Sequence, residues 1–375
     1  MNTYEIKTID EILEAFPFNG KFTGMHRIES GHINSTFVLE FTTADGAFKE
    51  YLLQKINTYV FKNPDQLMEN IVGVTEHLRK KVAENGGDPN RESLHVYFAK
   101  NGAPYFVDSD NNCWRCINYI YDSYSLQNVE SANDFYNAAK AFGKFQNLLA
   151  DYPIDTLHET IPNFHNTESR IADFKKAVKD DLAGRVNTAE KETAFILERE
   201  ADCSVLVNLI KEGKLPVKVT HNDTKLNNVM FDKNTNEGIC VVDLDTVMPG
   251  LSLYDFGDSI RFGANTASED EKDLSKVSLS LEYFEAYTKG FLQCAGNSLC
   301  EEEIKQLPFS AKLMTLECGM RFLGDYFNGN LYFRVEYEEH NLIRARTQLA
   351  LVADMEKKFD LMQEIVEKCR KELGM

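Results

Sequence analysis

Near residue 121 the spacing of apolar side chains in this 375-residue chain changes period, and that change limits the architectures open to it. Upstream, apolar residues alternate in short runs. In the segment 35–42, Phe37, Leu39 and Phe41 are separated by smaller or polar residues, the two-residue period of a half-buried strand. A strand over 22–30 is expected before it, joined through Ser30, Gly31, His32, Ile33 and Asn34, and another over 51–56 after the Asp45-Gly46 turn signal. Further strand-like pieces fall near 93–98, 104–107 and 114–120. Thr8 with Glu11 forms a capping-box pattern that opens a short helix through Phe16. Asn63 as N-cap and Pro64 at the first helical position open a longer one to about Lys81. Downstream, helical patterns run near 132–150, 168–183, 188–212, 269–293, 301–327 and 340–372, interrupted by a turn-rich interval from 217 to 262. A chain this long seldom closes around one core. The expectation is an α+β protein of two lobes: a small antiparallel sheet with one helix over 1–121, and a larger, mainly helical lobe over 122–375.

Charge narrows the partners. Fifty-nine acidic residues against 41 basic give a formal net charge of −18, which repels nucleic acid and anionic membranes. A nucleotide remains admissible, because a few local cations and a bound metal can hold phosphates against the global field. No apolar run approaches the roughly 20 residues of a membrane span. The opening segment MNTYEIKTIDEILEAF lacks the apolar centre of a signal peptide. Eight scattered cysteines suit reduced thiols in a cytoplasm. Cys113 and Cys116 form a C-x-x-C, which can be a redox or metal pair; the favoured alternative is two buried thiols on opposite faces of one strand.

The chemistry concentrates in VKVTHNDTKLNNVMFD and ICVVDLDTVMPG. His221 and Asp223 are followed by Asn228, and Asp243 ends an apolar strand-like run with Asp245 two residues on. Phosphoryl transfer asks little more of a protein than this. It needs a carboxylate to orient a hydroxyl and take its proton, and hard oxygen ligands for Mg²⁺ bridging the phosphates. Asp223, Asn228 and Asp243 supply that set, and His221 is expected to brace the loop. The alternative is a polar loop whose Asp and Asn side chains cap turns. Asp255, Asp258 and Arg261 follow in LYDFGDSIRF, as further metal or substrate contacts or, preferably, as helix caps with an ion pair to Arg261.

These strings resemble the catalytic and metal-binding loops of the aminoglycoside phosphotransferase and choline kinase superfamily, which shares the protein-kinase fold. HNDTKLNNVMFD, VVDLDTVMPGLSLYDFGDSIR, GHINSTF, QKINTYVFKNP, IPNFHNTESR and RFLGDYFNGNLYF together look most like bacterial N-acetylhexosamine 1-kinases. The resemblance implies ATP and Mg²⁺ as cofactors, an N-terminal nucleotide-binding lobe and a C-terminal catalytic and substrate-binding lobe. It implies Asp223 as catalytic base, Asn228 as metal ligand and Asp243 as principal Mg²⁺ ligand. Lys55 would pair with the ATP phosphates and Glu69 would be its helix partner. The loop around Gly31 would cover the phosphates with fewer glycines than protein kinases use.

For the acceptor, Arg321, Asp325, Tyr326, Tyr332 and Phe333 cluster in one stretch, where Arg321 and Asp325 also form an ordinary helical i,i+4 pair. The resemblance makes Arg321, Tyr332 and His32 sugar-contacting positions, and the product a sugar 1-phosphate made from N-acetylglucosamine or N-acetylgalactosamine. Other acceptors keep the same chemistry: choline or ethanolamine, homoserine, methylthioribose or an aminoglycoside. A pseudokinase that binds nucleotide without catalysis is a further alternative, opposed by the presence of Asp223, Asn228 and Asp243.

Overall fold

The computed structural model describes residues 6–28 and 34–375. A short helix α1 (Ile9–Ala15) precedes strands β1 (Lys21–Ile28), β2 (Ser35–Thr42) and β3 (Phe48–Ile56). Helix α2 (Pro64–Glu84) and a single turn α3 (Pro89–Glu92) lead to β4 (Val96–Tyr97), β5 (Phe106–Val107), β6 (Cys113–Asn118) and β7 (Ser123–Tyr124). The sheet runs β1-β2-β3-β6-β4, with β5 also on β6, and each pairing is antiparallel. The expected sheet with one long helix is therefore present.

Then come α4 (Ala132–Leu148), α5 (Thr167–Asp180), α6 (Glu190–Leu197) and α7 (Val205–Lys211). The turn-rich interval holds β8 (Lys218–Thr220), β9 (Val229–Asp232), β10 (Gly238–Val241) and β11 (Met248–Gly250), and it ends in α8 (Ser252–Gly263). Helices α9 (Leu281–Ala295), α10 (Glu301–Phe327), α11 (His340–Lys357) and α12 (Phe359–Leu373) finish the chain.

Several expectations shift. The helix expected over 188–212 breaks at Glu198 into α6, a 3-10 turn and α7, and that over 340–372 breaks at Lys358. Residues 269–280 are largely loop, and the helix begins only at Leu281, where Ser280 caps it by accepting from the Tyr283 N–H. Thr8 and Glu11 do not close a capping box. The Thr8 hydroxyl donates to Asp108 at 2.7 Å and Glu11 accepts from Ser109, so both tie α1 to the sheet. Cys113 and Cys116 are buried free thiols on β6. Cys113 packs with α2, and Cys116 packs on the other side with Tyr51 and Leu53.

That division of β3 and β6 matters for the site. Tyr51, Leu53, Trp114 and Cys116 belong to the core under α1, while Ile56, Cys113 and Ile117 pack against α2. Strand alternation thus puts Leu52, Gln54, Ile56, Cys113, Arg115 and Ile117 on the face towards α2 and the C-terminal region. The core on that face continues through Phe142 and Phe145 of α4 into Val229, Phe231, Leu244 and Val247, so packing runs unbroken past residue 121.

Candidate active site

The site lies where the loop after β8, the loop after β10 and the start of α8 meet. His221 is fully buried between the rings of Phe142 and Phe145, 5.7 and 5.9 Å away. Its Nε2 lies 2.9 Å from the Val242 carbonyl, which can only accept, so Nε2 carries the proton. Nδ1 is then free to accept the Asp223 N–H at 3.3 Å. The ring is a neutral brace joining the Asp223 loop to the end of β10.

Helix α8 fixes the same loop from below. Asp255, wholly buried, accepts the backbone N–H of His221 at 3.0 Å, that of Asn222 at 2.7 Å and the Gln146 amide at 2.8 Å. Burial raises its carboxyl pKa, and the three donors oppose that by stabilising the anion. Asp258 accepts the Thr224 N–H at 3.1 Å and pairs with Arg261 at 2.8 Å. The expected Asp258–Arg261 ion pair is therefore present. Capping is not: Leu251 is the N-cap of α8 and gives no side-chain cap. The α8 carboxylates capture a distant loop instead of their own helix end. Asp255→Ala should strand three buried donors, lowering stability by on the order of 3 kcal/mol, measured as a shift in urea midpoint.

Asn222, with φ of 65°, turns the chain so that Asp223 faces the cleft. Asp223 Oδ1 pairs with Lys225 Nζ at 2.8 Å, and the Asn228 amide donates to the Asp223 carbonyl at 2.8 Å and reaches Oδ2 at 3.4 Å. Desolvation works to raise the Asp223 carboxyl, but the Lys225 charge and hydrogen bond outweigh it and hold it below the usual range. Reciprocally, Asp223 raises the Lys225 pKa. With its NH₂ group committed to Asp223, Asn228 keeps its Oδ1 for a cation.

Asp243 is itself in the left-handed region, φ 60°, and its carboxylate is open to solvent within the cleft. It has no ion pair or hydrogen bond to a described side chain. Crowding by surrounding protein, then the charges of Asp245 and Asp223, push its carboxyl up to about 6, against the pull of Arg115. Uncompensated negative charge beside a free amide oxygen is a hard donor set of the kind Mg²⁺ takes. Among the described residues no three His, Cys, Asp or Glu side chains are arranged to hold a metal alone. Mg²⁺ in phosphoryl-transfer sites takes one or two carboxylates and fills its sphere with phosphate and water, which this donor set allows.

Other expected partners are not brought together. Lys55 is in register with Trp114, on the α1 side of the sheet with Tyr51 and Leu53, and so points away from the cleft. Glu69 is exposed and pairs with His158. The inward residue of α2 is Asn70, which donates to the Val247 and His158 carbonyls. The cleft position on β3 belongs to Gln54, beside Arg115 of β6. Gly31 and His32 lie outside the described residues.

Arg321 on α10 does meet Tyr332. Its guanidinium lies 5.2 Å from the Phe164 ring centre, 5.9 Å from Tyr332 and 5.6 Å from Phe333. One turn earlier, Glu317 is 3.9 Å from Arg321 and bonds His165 Nδ1 at 2.8 Å through Oε1, while its buried Oε2 has no partner. His165 Nε2 reaches the Asn222 carbonyl at 3.1 Å, linking this cluster to the Asp223 loop. Asp325 instead accepts the backbone N–H groups of Leu331, Tyr332 and Phe333, shaping the loop that carries the rings. Lys225, Arg115 and Glu317 were not among the residues expected here from the sequence. Lys225, two residues after Asp223, had a local signal. Arg115 and Glu317, remote from the motif in sequence, had none.

A small antiparallel sheet over a helical body, with two acidic loops and an asparagine at their junction, defines a protein-kinase-like fold. Residues 25–287 match the phosphotransferase enzyme family, and the chain belongs to it. Its structure is similar to that of choline kinase from Cryptosporidium parvum Iowa II (14% identity, 99% of this chain and 100% of that one, TM-score 0.58). Also similar are the GDP complex of aminoglycoside 2'-phosphotransferase-IIIa (11% identity, 93% and 99%, TM-score 0.60) and the microcompartment-associated aminopropanol kinase (13% identity, 96% and 99%, TM-score 0.56). The protein is an enzyme of the phosphotransferase class. No helix among the described residues is long and apolar enough to cross a membrane.

Proposed function

We propose that this enzyme transfers the γ-phosphoryl group of ATP, with Mg²⁺, to the anomeric hydroxyl of an N-acetylhexosamine such as N-acetylglucosamine or N-acetylgalactosamine. The observation that carries the chemistry is the Asp223–Asn228–Asp243 constellation. In the reaction the acceptor oxygen attacks the γ-phosphorus while the bond from that phosphorus to the β,γ-bridging oxygen breaks. ADP leaves with that oxygen, and the acceptor's proton passes to Asp223. Asn228 Oδ1 and Asp243 would hold Mg²⁺, which when bound neutralises phosphate charge. The GDP complex and the kinase among the similar structures support a nucleotide as the phosphoryl donor.

The Arg321 cluster supports a neutral polar acceptor. An aromatic wall suits the C–H face of a sugar, and Arg321 supplies a donor for its hydroxyl or amide groups. A cationic amino alcohol is disfavoured, because the guanidinium already occupies the space that an aromatic cage would offer it. The anomeric position rests on the resemblance to N-acetylhexosamine 1-kinases. The test is ADP release across N-acetylglucosamine, N-acetylgalactosamine, glucose, choline, homoserine and kanamycin, with phosphorus NMR to locate the phosphate. Turnover confined to choline, homoserine or kanamycin would sink the sugar assignment. ATP binding without turnover on any acceptor would turn the reading towards a pseudokinase. Arg321→Ala should raise KM for the sugar about 10- to 100-fold and leave KM for ATP unchanged.

A further inference from the structure

From the geometry we infer that Arg115, on β6, is the cation that grips the nucleotide phosphates in this enzyme, at a position where the adjacent strand β3 offers only the neutral Gln54. The inference rests on the phosphotransferase reading and adds a residue to it.

Gln54 and Arg115 are direct cross-strand partners on the face of the sheet that looks into the cleft. Lys49 and Lys55 of β3 share the parity of Tyr51 and Leu53 and face the α1 side. Among the described residues of β2, β3 and β6, Arg115 is thus the Lys or Arg side chain on the cleft face. It is 3% exposed, and a chain of hydrogen bonds sets its orientation. The Gln54 amide donates to Thr36 Oγ1 at 3.1 Å, and the Gln54 Oε1 accepts Arg115 Nε at 2.9 Å. Its Nη1 pairs with Asp245, two residues from Asp243, and Asn34 donates to the other oxygen of the same carboxylate. The Nη2 nitrogen has no described partner and is not among the sealed, unsatisfied atoms, so it remains open for one.

An ion pair this buried is costly to form unless it serves an arrangement. Here the arrangement leaves Nη2 as a fixed, charged donor on the cleft face of the sheet. A guanidinium suits that place, because it stays charged and its remaining N–H donors are held in a fixed direction for a phosphate oxygen. Asn34 and Arg115 sharing one carboxylate also joins the strand-loop edge at residue 34 to the Asp243 loop, so the phosphate grip and the metal site move as one unit.

The test is ADP and adenosine affinity, by calorimetry with Mg²⁺, for the full chain and for Arg115→Met, Arg115→Lys and the double variant Arg115→Met/Gln54→Lys. Arg115→Met should weaken ADP about 10- to 100-fold and leave adenosine unchanged, since adenosine has no phosphate. The double variant, which moves a cation to the cleft position of β3, should recover at least part of that loss. Unchanged ADP affinity in Arg115→Met, or equal losses for ADP and adenosine, would overturn the assignment, the latter marking a purely structural role. If the unaltered enzyme itself bound neither ADP nor ATP, the phosphotransferase reading would fall with it, whereas ordinary wild-type binding that Arg115→Met leaves intact sinks only the role of Arg115.

Discussion

Asp223→Asn should lower kcat by about 10³-fold while KM for ATP stays within a few-fold of the unaltered enzyme. The substitution keeps size and shape and removes the charge that, in the proposed reaction, would take the acceptor's proton. Asp223 is well suited to that task. Lys225 at 2.8 Å holds its carboxyl below the usual range, so it stays an anion at neutral pH and keeps a directed lone pair towards the cleft. A base of low pKa serves phosphoryl transfer because proton transfer can come late in a loose transition state. The measurement is steady-state turnover on the best acceptor from the panel, with far-UV circular dichroism to verify folding. An Asn variant within tenfold of the parent would remove Asp223 from the chemistry. Lys225 would be left unpaired by the change, so some loss of stability is expected alongside the loss of rate.

Asp243→Asn should cost a comparable factor, on the order of 10³ in kcat/KM, through the metal rather than the proton. Asp243 has no ion pair or hydrogen bond to a described side chain and feels the charges of Asp245 and Asp223, which would suit it to a cation. Its replacement reduces the number of anionic oxygens and leaves Asn228 without a companion ligand. The distinguishing readout is Mg²⁺ dependence. ADP binding to the parent should tighten as Mg²⁺ is added, and in Asp243→Asn that response should largely vanish. An equally strong Mg²⁺ response in the variant would show that the metal is held elsewhere. Because Asp243 touches no core residue through its carboxylate, thermal stability should change little, unlike Asp255→Ala, where three donors lose their acceptor.

The neighbouring structures bear on the fold alone, and they agree with the architecture expected from periodicity. The two-residue period of Phe37, Leu39 and Phe41 and the cap at Asn63-Pro64 were local signals, and β2 and α2 begin where those signals lie. Boundaries set by packing were less visible. Residues 269–280 carry many helix-forming side chains yet form loop, because Ser278 and the Leu279 N–H are drawn to Asp354 of α11. The continuous helical pattern over 340–372 conceals a break at Lys358, whose ammonium donates back to Ser278 Oγ and the Leu279 carbonyl.

The sequence by itself marked out the candidate chemical centre. Asp223, Asn228 and Asp243 announce themselves because the residues needed for phosphoryl transfer lie on two short loops, and a loop's chemistry is written in consecutive residues. It likewise determined that a sheet-rich region precedes a helical one, since strand and helix periods are local properties of the chain. Only the tertiary structure decided which way the strand residues face and what meets them. Lys55 looked like the phosphate cation until the pairing of β3 with β6 set it beside Trp114 and gave the cleft to Gln54 and Arg115. Asp255 looked like a helix cap until α8 came to lie under His221 and Asn222. Arg321 and Glu317 acquired their aromatic wall and their link to Asn222 only when α10 packed beside the loop carrying His165. The physical reason is the same in each case. A strand turns every second side chain to the opposite face and a buried charge takes whatever partner folding brings within reach, so both depend on contacts between segments far apart in the chain.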